Sequence, residues 1–212
     1  TIGVQPNVSW LKGTDLNIER GIVVNEYLET SWPNVFAAGD CVQLRHPDQY
    51  RRAIEQIWYT GRKMGEVVAE NVLNPQCQKY SPGIFFNSAK FFDIEYQIYG
   101  RVPSHEEEGT HSFLWIHPKE NKSVRIVYRE DDLTLVGCHS FGIRMRQIVW
   151  EKWIKQGKSV TYALSELDQA NFDPEFFRRY EKDIRRLFVE KTGLTLPEKK
   201  KRIWQLFKKK EG

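Results

Sequence analysis

The apolar positions change period along the chain, and each period points to an element. Between residues 21 and 31, Ile22, Val23 and Val24 open an apolar stretch that reads as one strand or two. Val35, Phe36, Ala37 and Ala38 read as a short buried strand that delivers Gly39 and Asp40 to its carboxyl end. From 51 to 73 the spacing switches to three and four, with Ile54, Trp58, Gly61, Gly65, Val68 and Val72 on one helical stripe. Strands are then predicted over 85–99, 112–117, 123–128 and 133–138. Glu120-Asn121 and Asp131-Asp132 supply turns, which makes an antiparallel meander. A helix follows over 143–156, with Gly157 as its stop. Asp173 as N-cap and Pro174 at the first helical position open another, which runs to about Lys191. A last short amphipathic helix carries Ile203, Trp204 and Phe207.

Turn residues divide this series. Asn74-Pro75 and Ser81-Pro82-Gly83 flank a short polar stretch, so a boundary is expected there. The domains are set at 1–78 and 79–196, with a basic tail over 197–212. Strands followed by helices make the second domain α+β.

Charge changes the picture only at that tail. The 212 residues carry 32 Lys and Arg against 28 Asp and Glu, a net +4. The last sixteen residues hold seven basic groups and two acidic ones, which leaves the other 196 residues at −1. A near-neutral body excludes a nucleic-acid-binding surface, which shows a basic stripe through the fold. The tail interleaves Lys and Arg with Ile203, Trp204, Leu206 and Phe207. Such a segment either lies on an anionic membrane surface, docks an acidic partner, or packs on its own domain. No apolar run is long enough to span a bilayer. Cys41, Cys77 and Cys138 are odd in number and form no CxxC, so a reducing, cytoplasmic compartment is expected. The five histidines lack metal-ligand spacing, and His105 beside three glutamates reads as a solvated loop. The start at Thr1 reads as a piece of something longer.

The segment from Thr30 to Asp40 carries the chemistry. A glycine permits close backbone approach to a ligand, and an adjacent carboxylate is a charged acceptor for a sugar or polyol hydroxyl. Ligands of open α/β sheets bind at such strand ends. The competing reading is that Asp40 caps a helix or closes a turn.

Three segments in order narrow the choice: Thr1-Ile-Gly-Val-Gln-Pro-Asn7, Gly21-Ile-Val-Val24, and Thr30-Ser-Trp-Pro-Asn-Val-Phe-Ala-Ala-Gly-Asp40. Together they resemble the second FAD-binding motif region of the FAD-dependent pyridine nucleotide-disulfide oxidoreductase superfamily. Trp58, Gly65 and the run from Glu66 to Val72 resemble the helix that follows it. Gly137, Arg144 and the stretch from Trp153 to Pro174 resemble the C-terminal domain of the ferredoxin- and rubredoxin-reductase branch. The resemblance implies the C-terminal portion of a Rossmann-like FAD domain, followed by an antiparallel-sheet and helix domain of the dimerisation type. It implies FAD as cofactor and NAD(P)H as substrate. Electrons would leave to an external acceptor, a protein or a small molecule.

Carried over by residue, the resemblance gives Gly39 and Asp40 to the flavin ribityl or adjacent phosphate oxygens. Cys41 beside them reads as a small buried filler rather than a redox thiol. A helix beginning near Ile54 would direct its amino end at the flavin pyrimidine edge, with Glu55, Gln56, Ile57 and Trp58 placed there. Trp58 either stacks on flavin or packs in the core. The segment from Phe85 to Lys90 resembles the cover over the flavin, and is otherwise a plain half-buried strand. No two glycines stand two apart, so GxGxxG is impossible here. The first FAD motif and the NAD(P) motif would lie upstream. His117-Pro118 is followed by Lys119 and not by Glu, which disfavours the disulfide-reducing branch. A non-catalytic dimerisation or partner-docking module is the reading from another class.

Overall fold

The computed structural model describes residues 3–48, 50–173, 175–176 and 178–198. The chain divides into two compact units, Thr1–Asn87 and Ser88–Gly212. The expected amphipathic helix around Trp204 and the basic groups of the tail from Lys199 onward lie outside the described residues, as does Pro174.

The first unit is built on two short parallel strands, β1 (Ile22–Val24) and β2 (Val42–Leu44), paired Ile22 with Val42 and Val24 with Leu44. Helix α1 (Trp58–Leu73) follows. The buried residues Val24, Leu28, Val42, Met64, Val67 and Tyr80 make one core cluster, and Leu11, Leu16 and Ile22 make a second.

Two sequence-based expectations are corrected here. Residues 35–38 do not form a strand: Val35 is exposed, and Phe36 makes a single bridge to Glu29. The strand lies after Asp40, because Val42, Gln43 and Leu44 are the residues that find a ladder partner in β1. Gly39 and Asp40 therefore enter a strand instead of leaving one. The helix starts at Trp58, not near Ile54, and its buried stripe is Thr60, Met64, Val67 and Asn71. Trp58 and Val72 are exposed. Met64 and Val67 have side chains to give to a core, whereas Gly61 and Gly65 have none. Polar Asn71 is fully buried because every group on it is bonded. Its amide donates to Tyr27 O and Gln78 O, and its Oδ1 accepts from the Gln78 N–H.

The same staple moves the division between units beyond residue 78. Gln78 is held by Asn71, the Tyr80 N–H donates to Glu26 O at 2.7 Å, and the Tyr80 ring is buried in the first core. Burial pushes the Tyr80 phenol up to about 12.

The second unit is α+β. A five-stranded sheet takes in β3 (Phe86–Phe91), β4 (Ile94–Gly100), β5 (Thr110–Ile116), β6 (Ser123–Arg129) and β7 (Leu135–Phe141). Its order is β3-β4-β7-β6-β5, so the meander covers β5 to β7, and β4 joins beside β7. The predicted strand over 85–99 is two strands, parted where Phe92 turns into the left-handed region at φ 53°. Helices α2 (Gln147–Lys155), α3 (Val160–Ser165) and α4 (Glu181–Thr192) complete the unit. α3 was not foreseen; Ser159 caps it by accepting from the Tyr162 N–H at 3.1 Å. α4 starts at Glu181 and not at Asp173, whose carbonyl instead closes a turn on the Phe176 N–H. Acidic Glu181 and Asp183 in its first turn suit the helix dipole, and Gly193 ends it at φ 69°.

Gly137 marks one of the tightest approaches in this sheet. A Cβ there would lie 2.4 Å from Arg101 O, inside contact distance of backbone that cannot swing away. Gly137→Ala is expected to cost about 1–3 kcal/mol, the range for forced overpacking. Urea unfolding followed by circular dichroism checks this, and an unchanged midpoint would contradict the close approach.

Candidate functional site

The two halves of the site expected from sequence meet in the first unit. Gly39 sits at φ 92°, a conformation only glycine adopts without strain, and its carbonyl accepts from the Val42 N–H at 3.1 Å. This turn carries Asp40 at the surface. The Asp40 carboxylate has no hydrogen bond or ion pair among the described residues, and it caps no helix. A Cβ on Gly61, in the first turns of α1, would stand 3.4 Å from the Gly39 Cα. The glycine turn and the head of α1 are therefore in contact.

That helix head is open. Ile57 is the N-cap, in extended conformation at φ −135°, and has no side chain able to cap. The head of α1 carries the positive end of the helix dipole. Gln56 is half-buried and lines a cavity of about 550 Å³ with Ile54, Gln43, Arg20 and Arg52. Trp58 is 68% exposed, so the core-packing reading for it is corrected. Its ring meets the edge of Tyr59 at 5.3 Å, and the Arg62 guanidinium lies 5.9 Å from it. Tyr59 packs in turn on Phe86 at 4.7 Å, which brings part of the aromatic segment beside the helix head.

Behind the open head lies a pair whose partnership the sequence reading did not identify. Arg51 Nε donates to Glu55 Oε1 at 2.6 Å, and its Nη2 donates to Oε2. Both side chains are at most 8% exposed. The Arg51–Glu55 spacing of four is a sequence signal, but it ordinarily marks a solvated helix face. Here the residues precede the helix.

The other candidates resolve plainly. Cys41 is half-buried, packs against both core clusters and points its thiol toward Ala38 O at 3.9 Å, as a filler does. Cys138 is fully buried, and burial pushes its thiol well up, away from the thiolate. His117 Nδ1 accepts from the N–H groups of Lys119 and Glu120 in a hairpin turn. Among the described residues no group of His, Cys, Asp or Glu is arranged to hold a metal, and no helix is long and apolar enough to cross a membrane.

The first unit thus sets a glycine turn against the head of α1 on a parallel strand pair, and the second is an antiparallel sheet with helices. Residues 1–57 match the family described as pyridine nucleotide-disulphide oxidoreductase. The similarity reaches beyond those residues. It is 40% identical over 153 residues to the NADH-rubredoxin oxidoreductase of Clostridium acetobutylicum, covering 70% of this chain and 37% of that protein. It is 24% identical over 155 residues to the assimilatory nitrate reductase electron transfer subunit of Bacillus subtilis, covering 73% of this chain and 19% of that protein. Among solved structures, an NAD-dependent persulfide reductase from A. fulgidus shares the fold over 99% of this chain and 46% of its own, with a TM-score of 0.65 at 18% identity. The chain therefore spans less than half the length of each of these proteins.

Proposed function

We propose that this chain is the C-terminal part of an FAD-dependent NAD(P)H oxidoreductase that passes electrons from nicotinamide through flavin to an external acceptor. The observation that carries the reading is the contact between the Gly39–Asp40 turn and the uncapped head of α1. These groups fit a flavin nucleotide. Gly39 admits close approach, Asp40 offers a free carboxylate to ribityl hydroxyls, and the positive dipole end of α1 suits an electron-rich ring edge. Gln56 would line the same edge, and the exposed Trp58 would offer an aromatic face to the ring system. When bound, FAD supplies the hydride and electron chemistry; the protein residues orient it and set its electronics.

A relative named for rubredoxin supports a small electron-transfer protein as acceptor, with a small molecule as the other choice. Three free cysteines fit a cytoplasmic setting. A homodimer through the second unit and a membrane-surface role for the basic tail belong to the same proposal.

The test is to express the chain joined to the sequence that precedes it in its gene. The longer protein is expected to purify yellow and to reduce a dye with NADH, whereas the 212-residue chain alone purifies colourless. A longer protein that folds yet takes up no FAD overturns the reading.

A further inference from the structure

Residues 51–57 contain neither helix nor strand, yet they decide where α1 begins and how Gln56 and Ile57 are presented. Backbone pairing does little to hold them: the Arg51 N–H donates to Asp48 O, and Ala53 O accepts from the Leu44 N–H. The side chains of Arg51 and Glu55 do the rest. Arg51 spends its whole guanidinium inward. Nε and Nη2 grip the Glu55 carboxylate, Nη1 donates to Gly83 O at 2.9 Å, and the group lies 5.2 Å over the Phe85 ring. Glu55 Oε2 also accepts from the Thr60 hydroxyl at 3.2 Å, in the first turn of α1. One buried pair thus ties the segment, the helix head and the 83–85 strand entry together.

A buried ion pair is poor value for stability alone, since two well-packed apolar residues commonly do as well or better. Its charge pattern gives it another use. Glu55 bonds into the first turn of α1, where an unpaired carboxylate would cancel the positive end of the helix dipole. Arg51 neutralises that carboxylate at hydrogen-bond distance, so the positive end of the helix dipole keeps its effect on whatever sits before it. We infer that Arg51 and Glu55 are positioning residues of the flavin site, which shape the 52–57 approach and hold the local charge at zero so that the head of α1 favours the negative charge that reduction brings to the flavin. This rests on the flavin reading above.

The experiment compares Glu55→Gln and Arg51→Gln in the longer, flavin-loaded protein, with the flavin midpoint potential as readout. Glu55→Gln leaves Arg51 uncancelled and should raise the potential. Arg51→Gln leaves Glu55 uncancelled and should lower it. Opposite shifts are the signature, because a pair that served only to brace the fold would move both variants the same way or not at all. Either of those results overturns the inference. In the 212-residue chain both variants should also speed hydrogen exchange at residues 56–61; unchanged exchange would show that the pair does not hold the helix head. A wild-type longer protein that takes up no FAD is a different failure, and sinks the flavin reading itself.

Discussion

Trp150→Ala should remove a large share of the stability of the second unit. Trp150 is fully buried on α2. Its ring stacks on Tyr99 at 5.8 Å, meets Trp153 edge-on at 5.3 Å, and its Nε1–H points at Met145 Sδ at 3.2 Å. Around it the Tyr99 hydroxyl sits 2.7 Å from Gln97 Oε1 and 3.0 Å from Met145 O, and the Met145 N–H donates to the same Gln97 oxygen. Removing the indole leaves a cavity ringed by groups tied to one another, which cannot collapse into it. Truncating a buried Trp costs about 3–5 kcal/mol, against a domain stability on the order of 5–15 kcal/mol. Guanidinium unfolding read by near-ultraviolet circular dichroism should show the loss. Ile148→Ala, on the same helix but 72% exposed, is the control and should stay within about 0.5 kcal/mol of wild type. Equal effects from the two would mean that Trp150 is not the centre of this core.

Why that core could be anticipated, and parts of the site could not, follows from what each residue responds to. Strand β5 alternates strongly enough that local pattern and final sheet agree, with buried Phe113 and Trp115 between exposed neighbours. The helix over α1 was equally plain, but its face was not. Gly61 and Gly65 share the stripe of Trp58, and the stripe that is buried includes Thr60 and Asn71. The helical pattern does not say that Asn71 is wanted inside; Gln78, just beyond the helix, and Tyr27, far away in sequence, say so. The strand before Gly39 was misplaced for a related reason. Val35 to Ala38 is the more apolar run, yet Val42 to Leu44 lies where β1 can pair with it. Ladder partners outrank local hydrophobicity when strands are three residues long. Gly39, Asp40 and the 56–58 segment are proposed through resemblance to a family motif, while the residues alone leave Asp40 open to a cap or a turn. The Arg51–Glu55 pair needed Gly83 and Phe85 in place before its burial could be seen.

Asp40→Ala, made in the longer protein, should separate binding from folding. The carboxylate is exposed and bonds to nothing among the described residues, so its loss should leave the unfolding midpoint nearly unchanged. If it accepts flavin ribityl hydroxyls, its loss removes a charged hydrogen bond, worth about 1.5–3 kcal/mol, or on the order of ten- to a hundredfold in FAD affinity. Asp40→Asn keeps an acceptor oxygen without the charge and should fall between wild type and alanine. Reconstituting deflavinated protein and titrating FAD by fluorescence quenching measures all three. Cys41→Ser, next in the chain but half-buried as a filler, should bind FAD like wild type. A graded loss across Ala, Asn and Asp with constant folding would assign the turn to the cofactor. Affinity that ignores Asp40 would leave Gly39 serving only the packing of the turn against Gly61, and the flavin contacts would then have to come from the head of α1 alone.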